Sequence, residues 1–198
     1  MVYAASPDPY CYRGTTVLKN VPGIRDAAAL RQFEAAITAQ RADEPLPGGR
    51  LSVRHYQAIH HHLFQDVYRW AGRIRTVRIS KGNSTFCYPE HIHDQLRRTF
   101  NWLREREFLR RLTPEAFASG TAHFFAELNA IHPFRDGNGR TQLSFVALLA
   151  AQAGYPLALR RLAPRAFLRA AITSFYGDER PLTAEFRRLI DASTRRGS

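Results

Sequence analysis

Two long apolar helical patterns in this chain are separated by nine residues that cannot continue a helix. That interruption constrains the fold more than any other feature. The first pattern starts at Thr113-Pro114-Glu115, a capping threonine with proline in the first turn, and sets Phe117, Thr121, Phe124, Phe125 and Leu128 on one face. The second, LSFVALLAAQA from Leu143, is apolar nearly all round; this predicts a helix in the middle of a bundle, ended by Gly154 and Pro156. Between them HPFRDGNGR, His132 to Arg140, carries a histidine, an acid, two glycines, an asparagine and arginine. Such a stretch buries little and must serve another purpose.

The rest of the chain supports a helical bundle. Asp26 is placed to cap a helix with Leu30, Phe33 and Ile37 on one face, and DEPLPGGR then breaks the chain. Ser52 opens a helix through Val53, Tyr56, His60, Leu63, Phe64 and Val67 that Gly72 should stop. Helical spacing returns at Ile92, Leu96, Phe100 and Leu103. Two further helices are expected around Phe167 to Phe175 and, capped by Thr183, around Phe186 to Ile190. One segment changes period. In RIRTVRISKGNSTFCYPE the β-branched Ile74, Val77 and Ile79, the turn KGNS, and the alternating Phe86 and Tyr88 predict a β-hairpin. The fold class is therefore all-α, a bundle of about seven to eight helices with one hairpin. With no internal repeat and no low-complexity linker, residues 1–198 read as a single domain with its core over about 10–190.

Composition excludes several classes. An apolar fraction of 44% and an aromatic fraction of 12% belong to a folded chain. No stretch approaches a membrane span and the N-terminus has no apolar signal core, so a cytoplasmic protein is expected, with delivery into another cell left open. Cys11 and Cys87 are too few for a disulfide framework and lack metal-ligand spacing. The net charge of +12 comes almost wholly from arginine, since Lys19 and Lys81 are the only lysines. These arginines are scattered along amphipathic patterns, which favours a solvated basic surface over a dedicated nucleic-acid surface.

The chemistry of the nine residues can be read one by one. A loop entering the N-terminus of a buried helix presents unpaired N–H groups and the positive end of the helix dipole. Gly137 and Gly139 let successive N–H groups converge on an anion, as in phosphate cradles. Arg140 adds a planar donor for further phosphate oxygens, and the Asn138 amide can donate to the same anion. Asp136 makes sense beside an anion when Mg²⁺ stands between them. His132 at the other lip suits a general base, since an imidazole titrates near neutral pH. Phe134 should point into the core and pin the loop. A plain connecting loop of turn formers is the competing reading, and for His132 alone a capping or structural histidine. An EF-hand is excluded by Arg140, Thr141 and Ala147 at its fifth, sixth and twelfth positions. Adjacent residues on a helix face different ways, so His60, His61 and His62 are not expected to form a metal site; the same holds for His91 and His93.

HPFRDGNGR resembles the signature of Fic-domain proteins, His-Pro-Phe-any-Asp/Glu-Gly-Asn-Gly/Lys-Arg, at every specified position. YCYRGTTVLKN, the Trp70-Ala71-Gly72 segment, ISKGNSTFCYPE and LTPEAFA are similar to bacterial Fic toxins regulated by a separate antitoxin, and together they cover most of residues 10–190. The resemblance implies the Fic fold and transfer of AMP from ATP to a tyrosine, threonine or serine hydroxyl of a target protein. His132 would be the base, Asp136 the ligand of Mg²⁺, Asn138 with the N–H groups of Gly137 to Gly139 the anion hole, and Arg140 the β/γ-phosphate ligand. The hairpin would be the family's flap, with Lys81, Gly82, Asn83, Ser84, Thr85 and Phe86 binding the target by strand addition. Family targets include type II topoisomerase subunits and small GTPases. The family's inhibitory segment, Ser/Thr and three residues before Glu-Gly or Glu-Asn, does not occur in this chain, which implies restraint by a small antitoxin or none.

One departure stands out. Many members carry a second arginine three residues after the first, and here that position is Leu143. Loss of a charge-assisted phosphate contact is expected to cost about 1.5–3 kcal/mol. It leaves open another donor (UMP, phosphate or phosphocholine) or a catalytically weakened domain that binds nucleotide or nucleic acid.

Overall fold

The computed structural model describes residues 8–81 and 84–190, with Lys81 and Ser84 described by their backbone alone. Within them lie seven α-helices and one two-stranded hairpin. Helix α1 spans Ala27–Asp43 and α2 Val53–Phe64; strands β1 (Ser80–Lys81) and β2 (Ser84–Thr85) form the hairpin. Helices α3 (Ile92–Glu105), α4 (Pro114–Ile131), α5 (Asn138–Gln152), α6 (Pro164–Phe175) and α7 (Arg180–Leu189) follow. No helix among the described residues is long and apolar enough to cross a membrane.

The predicted caps form. Asp26 accepts from the Ala29 N–H at 2.7 Å, Ser52 from His55 at 3.3 Å and Thr113 from Ala116 at 3.3 Å. Three boundaries differ from expectation, the first being that α5 begins at Asn138 and so takes in the last three of the nine residues from His132 to Arg140. Helix α2 ends at Phe64, and Gly72 instead takes φ +79° in the turns beyond it. Helix α7 begins at Arg180, with Pro181 in its first turn, so Thr183 lies inside it and caps nothing. The Asp178 carboxylate anchors that start by accepting the Arg180 N–H at 3.1 Å.

The centre of the bundle is α4 rather than α5. It packs against α3, α5, α6 and α7, and buries Phe117, Ala118, Thr121, Ala122, Phe124, Phe125, Leu128 and Ile131. Helix α5 lies between α4 and α2 and leaves Leu143 and Leu148 half-buried. An apolar circumference signals burial but not which neighbours supply it. Tyr56 of α2, Phe100 of α3, Phe124 of α4 and Phe145 of α5 meet in one aromatic cluster, with centroids 5.4–5.9 Å apart.

The hairpin is much shorter than the alternation suggests. Only Ser80 opposite Thr85 and Lys81 opposite Ser84 are paired, with one further bond from the Phe86 N–H to the Ile79 carbonyl at 3.3 Å. Below that point the two limbs bond to the end of α4. The Arg75 N–H donates to Pro133 O at 2.9 Å and the Cys87 N–H to Ala130 O at 3.1 Å. Their backbone groups are satisfied there, so no longer ladder forms.

Candidate active site

Helix α4 stops because His132 adopts the left-handed conformation, φ 49° and ψ 61°, just before Pro133. A residue preceding proline is disfavoured in the right-handed helical region, so this stop is written in the His-Pro pair. Every carbonyl in the last turn is accounted for. Leu128 O accepts the His132 N–H at 2.9 Å, Asn129 O faces His132 Nδ1 at 3.3 Å, and Ala130 O takes Cys87. Ile131, His132 and Pro133 are all taken by Arg75. A carbonyl can only accept, so the contact with Asn129 puts the neutral imidazole's proton on Nδ1 and its lone pair on Nε2. The ring stacks on Phe86 of the flap, 3.9 Å between centroids and 17° between planes.

The loop after His132 is held from beneath. Phe134 is fully buried, stacked on His60 at 3.8 Å and 5.4 Å from Tyr56. Asn138 uses both ends of its amide on that same residue: Oδ1 accepts the Phe134 N–H at 2.9 Å and Nδ2 donates to the Phe134 carbonyl at 2.8 Å. Its side chain is thus a staple within the loop, and the second hydrogen of Nδ2 is the one left over for the expected donation to an anion. Arg135 pairs with Asp8 at 2.7 Å, strapping the N-terminal segment across the loop. Gly137 has φ +78°, and a Cβ there would overlap the Phe64 ring, so glycine is required twice over.

His60 fastens the far end. Its Nδ1 accepts the Gly72 N–H at 2.8 Å, which leaves Nε2 protonated to donate to Asp136 O at 3.0 Å. Burial pushes its pKa down to about 3, against an opposing pull from the Asp136 carbonyl and with smaller help from Arg140 and His61. The imidazole is therefore neutral and fixed in one tautomer.

At the start of α5 the first internal bond runs from the Thr141 N–H to Gly137 O at 3.1 Å. The N–H groups of Asn138, Gly139 and Arg140 precede it and are the donors from which a helix start can bind an anion. The Gly137 N–H is directed to Asp136 Oδ1 at 2.6 Å instead. Arg140 is gripped by α1: it pairs with Glu34, donates to Thr38 Oγ1 at 3.0 Å, and lies over the Phe64 ring at 4.6 Å. Glu34 also accepts from the Tyr68 hydroxyl.

His132, Asp136, Gly137, Asn138, Gly139, Arg140 and Phe86 all line one cavity of about 830 Å³. Its opposite wall is apolar and comes from α6: Leu168, Ala171, Ile172 and Phe175, with Tyr176 just beyond. Thr85 lies on the other side of the flap, in a second groove with Cys87, His91 and Glu127. Gly82 and Asn83 lie outside the described residues, as do the side chains of Lys81 and Ser84. Leu143 does not reach the main cavity. It lines a neighbouring groove between α1 and α5 with Ala35, Ala39 and Leu159, and that groove shares Arg140 with the main cavity. Among the described residues no group of three histidine, cysteine or acidic side chains could hold a metal, so any cation here would rest on Asp136 and its ligand's own oxygens.

Three residues of this site escaped the sequence reading: His60, Arg75 and Glu34. His60 keeps core spacing on α2 and Arg75 sits inside a strand-like stretch, so neither carries a local sign of its partners. Only long-range contact reveals them.

A helical bundle whose buried helix begins at a glycine-rich loop beside a histidine and a short hairpin defines a class, and the comparisons place the chain in it. The Fic/DOC family profile matches residues 50–150. The chain is 51% identical over 189 residues to the probable protein adenylyltransferase y4lH of Sinorhizobium fredii, covering 95% of this chain and 98% of that protein. It is 36% identical to the probable protein adenylyltransferase Fic of Salmonella typhimurium, covering 92% of each. The crystal structure of the N-terminal Fic domain of a putative cell filamentation protein from Bartonella quintana, with bound ADP, superposes with a TM-score of 0.84 at 26% identity, over 93% of this chain and 96% of that one. The chain belongs to the Fic/DOC family.

Proposed function

We propose that this protein is an adenylyltransferase that moves AMP from ATP onto a tyrosine, threonine or serine hydroxyl of another protein. The observation that carries the reading is one cavity lined together by His132, the N-terminus of α5 and Arg140, of a size that suits a nucleotide. The relatives' names and the ADP in the Bartonella structure support the same donor.

In this reading His132 Nε2 takes the proton of the target hydroxyl as its oxygen attacks the α-phosphorus. The bond from that phosphorus to the bridging oxygen breaks, and pyrophosphate leaves. The N–H groups of Asn138, Gly139 and Arg140 hold phosphate oxygens without reorganising, since the loop beneath them is already fixed. The Arg140 guanidinium adds its charge while Glu34 and Thr38 hold its fork in place. The Asp136 carboxylate fits Mg²⁺, which when bound would neutralise the diphosphate. The α6 wall takes the base. The outer edge of the flap is the docking strand for the target, and a separate antitoxin is the expected restraint.

Incubation with α-labelled ATP, Mg²⁺ and a bacterial lysate tests this. A labelled protein band lost in His132→Ala is expected. Labelling from UTP alone would move the assignment to another donor, and salt-sensitive DNA binding with no labelling would overturn it.

A further inference from the structure

Arg75 is the largest fully buried side chain in the molecule as described, 1% exposed, and it lies outside the signature loop. Its guanidinium spends four hydrogen bonds on carbonyls. Nε donates to His132 O at 2.8 Å, Nη1 to Val77 O at 2.5 Å, and Nη2 to Cys87 O at 2.6 Å and Ile131 O at 3.3 Å. Its own N–H donates to Pro133 O at 2.9 Å. Among the described residues all of these partners are carbonyls and none is a carboxylate. A buried cation needs compensation. Here it comes from the C-terminus of α4, where the helix dipole presents its negative end.

Three pieces of chain thus meet on one planar ion: the last residue of α4 with His132, the ascending limb of the flap at Val77, and the descending limb at Cys87. Two of these set the geometry of the reaction. The His132 carbonyl fixes the left-handed turn from which the imidazole projects, and the flap supplies Phe86, on which that imidazole stacks. The nucleotide cradle is held separately, by His60, Phe134 and Asn138.

We propose that Arg75 is a positioning residue that locks the His132 base and the flap into one unit, so that it governs the step at the target hydroxyl rather than nucleotide binding. The inference rests on the adenylyltransferase reading. Lysine cannot substitute, because one ammonium offers three donors from a single point while these carbonyls surround a planar fork.

The test uses the full chain with Arg75→Lys. Its affinity for the ATP analogue AMPPNP with Mg²⁺ should stay within about twofold of the parent, while kcat for target labelling falls about 30-fold. The His132 ring resonances should move in the NMR spectrum of the free variant. A variant with parental kcat and unmoved His132 resonances, merely less heat-stable, would show Arg75 to be core packing and overturn the proposal. A parent that labels nothing defeats the function reading alone, because the His132 resonances still report on Arg75. Should the variant not fold, the parent itself decides: slow solvent exchange of the Arg75 Nε proton is expected, and exchange as fast as that of an exposed arginine sinks the idea.

Discussion

The signature loop and the flap face each other across the cavity, and they are built in opposite ways. From Leu128 to Pro133 every carbonyl is taken, Phe134 is stapled through both backbone groups, and the Asp136 carbonyl is held by a buried histidine. The flap has two paired residues in each strand. So short a ladder has little stability of its own and depends on anchors at its base. In the proposed function the difference separates the two tasks of the site. A fixed loop can preorganise donors around phosphates, whereas a strand with an unpaired outer edge can accept segments of differing sequence.

The loop carries the largest expected effects. His132→Ala should lower kcat about 10³-fold with AMPPNP affinity little changed, measured by target labelling and calorimetry. Equal losses in both would mean that the histidine builds the cradle as well as acting in it. Gly137→Ala should destabilise by about 2–3 kcal/mol, because the new methyl meets the Phe64 ring and the backbone stays left-handed. Urea unfolding checks this, and a change below about 0.5 kcal/mol would show the loop to be softer than described.

Stability on the acid side depends on the same loop. The His60 pKa is depressed from 6.5 to about 3, so the unfolded chain binds the extra proton. The group's contribution is therefore fully present above pH 6.5 and lost as pH falls towards 3, by about 1.4 kcal/mol per unit. His60→Gln should lower stability at neutral pH and flatten that limb; an unchanged slope would locate the acid sensitivity elsewhere. On the flap side, Phe86→Ala should reduce kcat/KM for the target about tenfold through loss of the stack on His132 and, because Phe86 is itself buried, should also destabilise the fold by about 3 kcal/mol. Smallest of all, Leu143→Arg should raise kcat/KM for ATP severalfold, by about 1 kcal/mol, provided the new side chain reaches from its groove beside Ala35 and Ala39 to the phosphates. No gain would mean that the α1–α5 groove keeps that position apart from the nucleotide.

Much of this molecule was legible in its residues. The helices over Phe117 to Leu128 and Leu143 to Leu149, the caps Asp26, Ser52 and Thr113, and the meeting of His132, Asp136 and Arg140 on one cavity wall follow from periodicity and from the chemistry of a short loop. These are local properties, carried by residues close together in the chain. The flap's length was not legible, because a strand's partner is chosen by competition, and here the end of α4 outcompetes the opposite limb. Nor was the bond pair between the Asn138 amide and Phe134, which shows only once the two residues are seen side by side.

Spacing and backbone preference act over a few residues, and they already place a histidine, an acid and a glycine-rich helix start in one loop between two buried helices. Only the tertiary structure decided what holds that loop. His60, Arg75 and Glu34 lie 76, 57 and 106 positions from the partners they grip, and hydrogen bonds over such separations exist only once the bundle has packed.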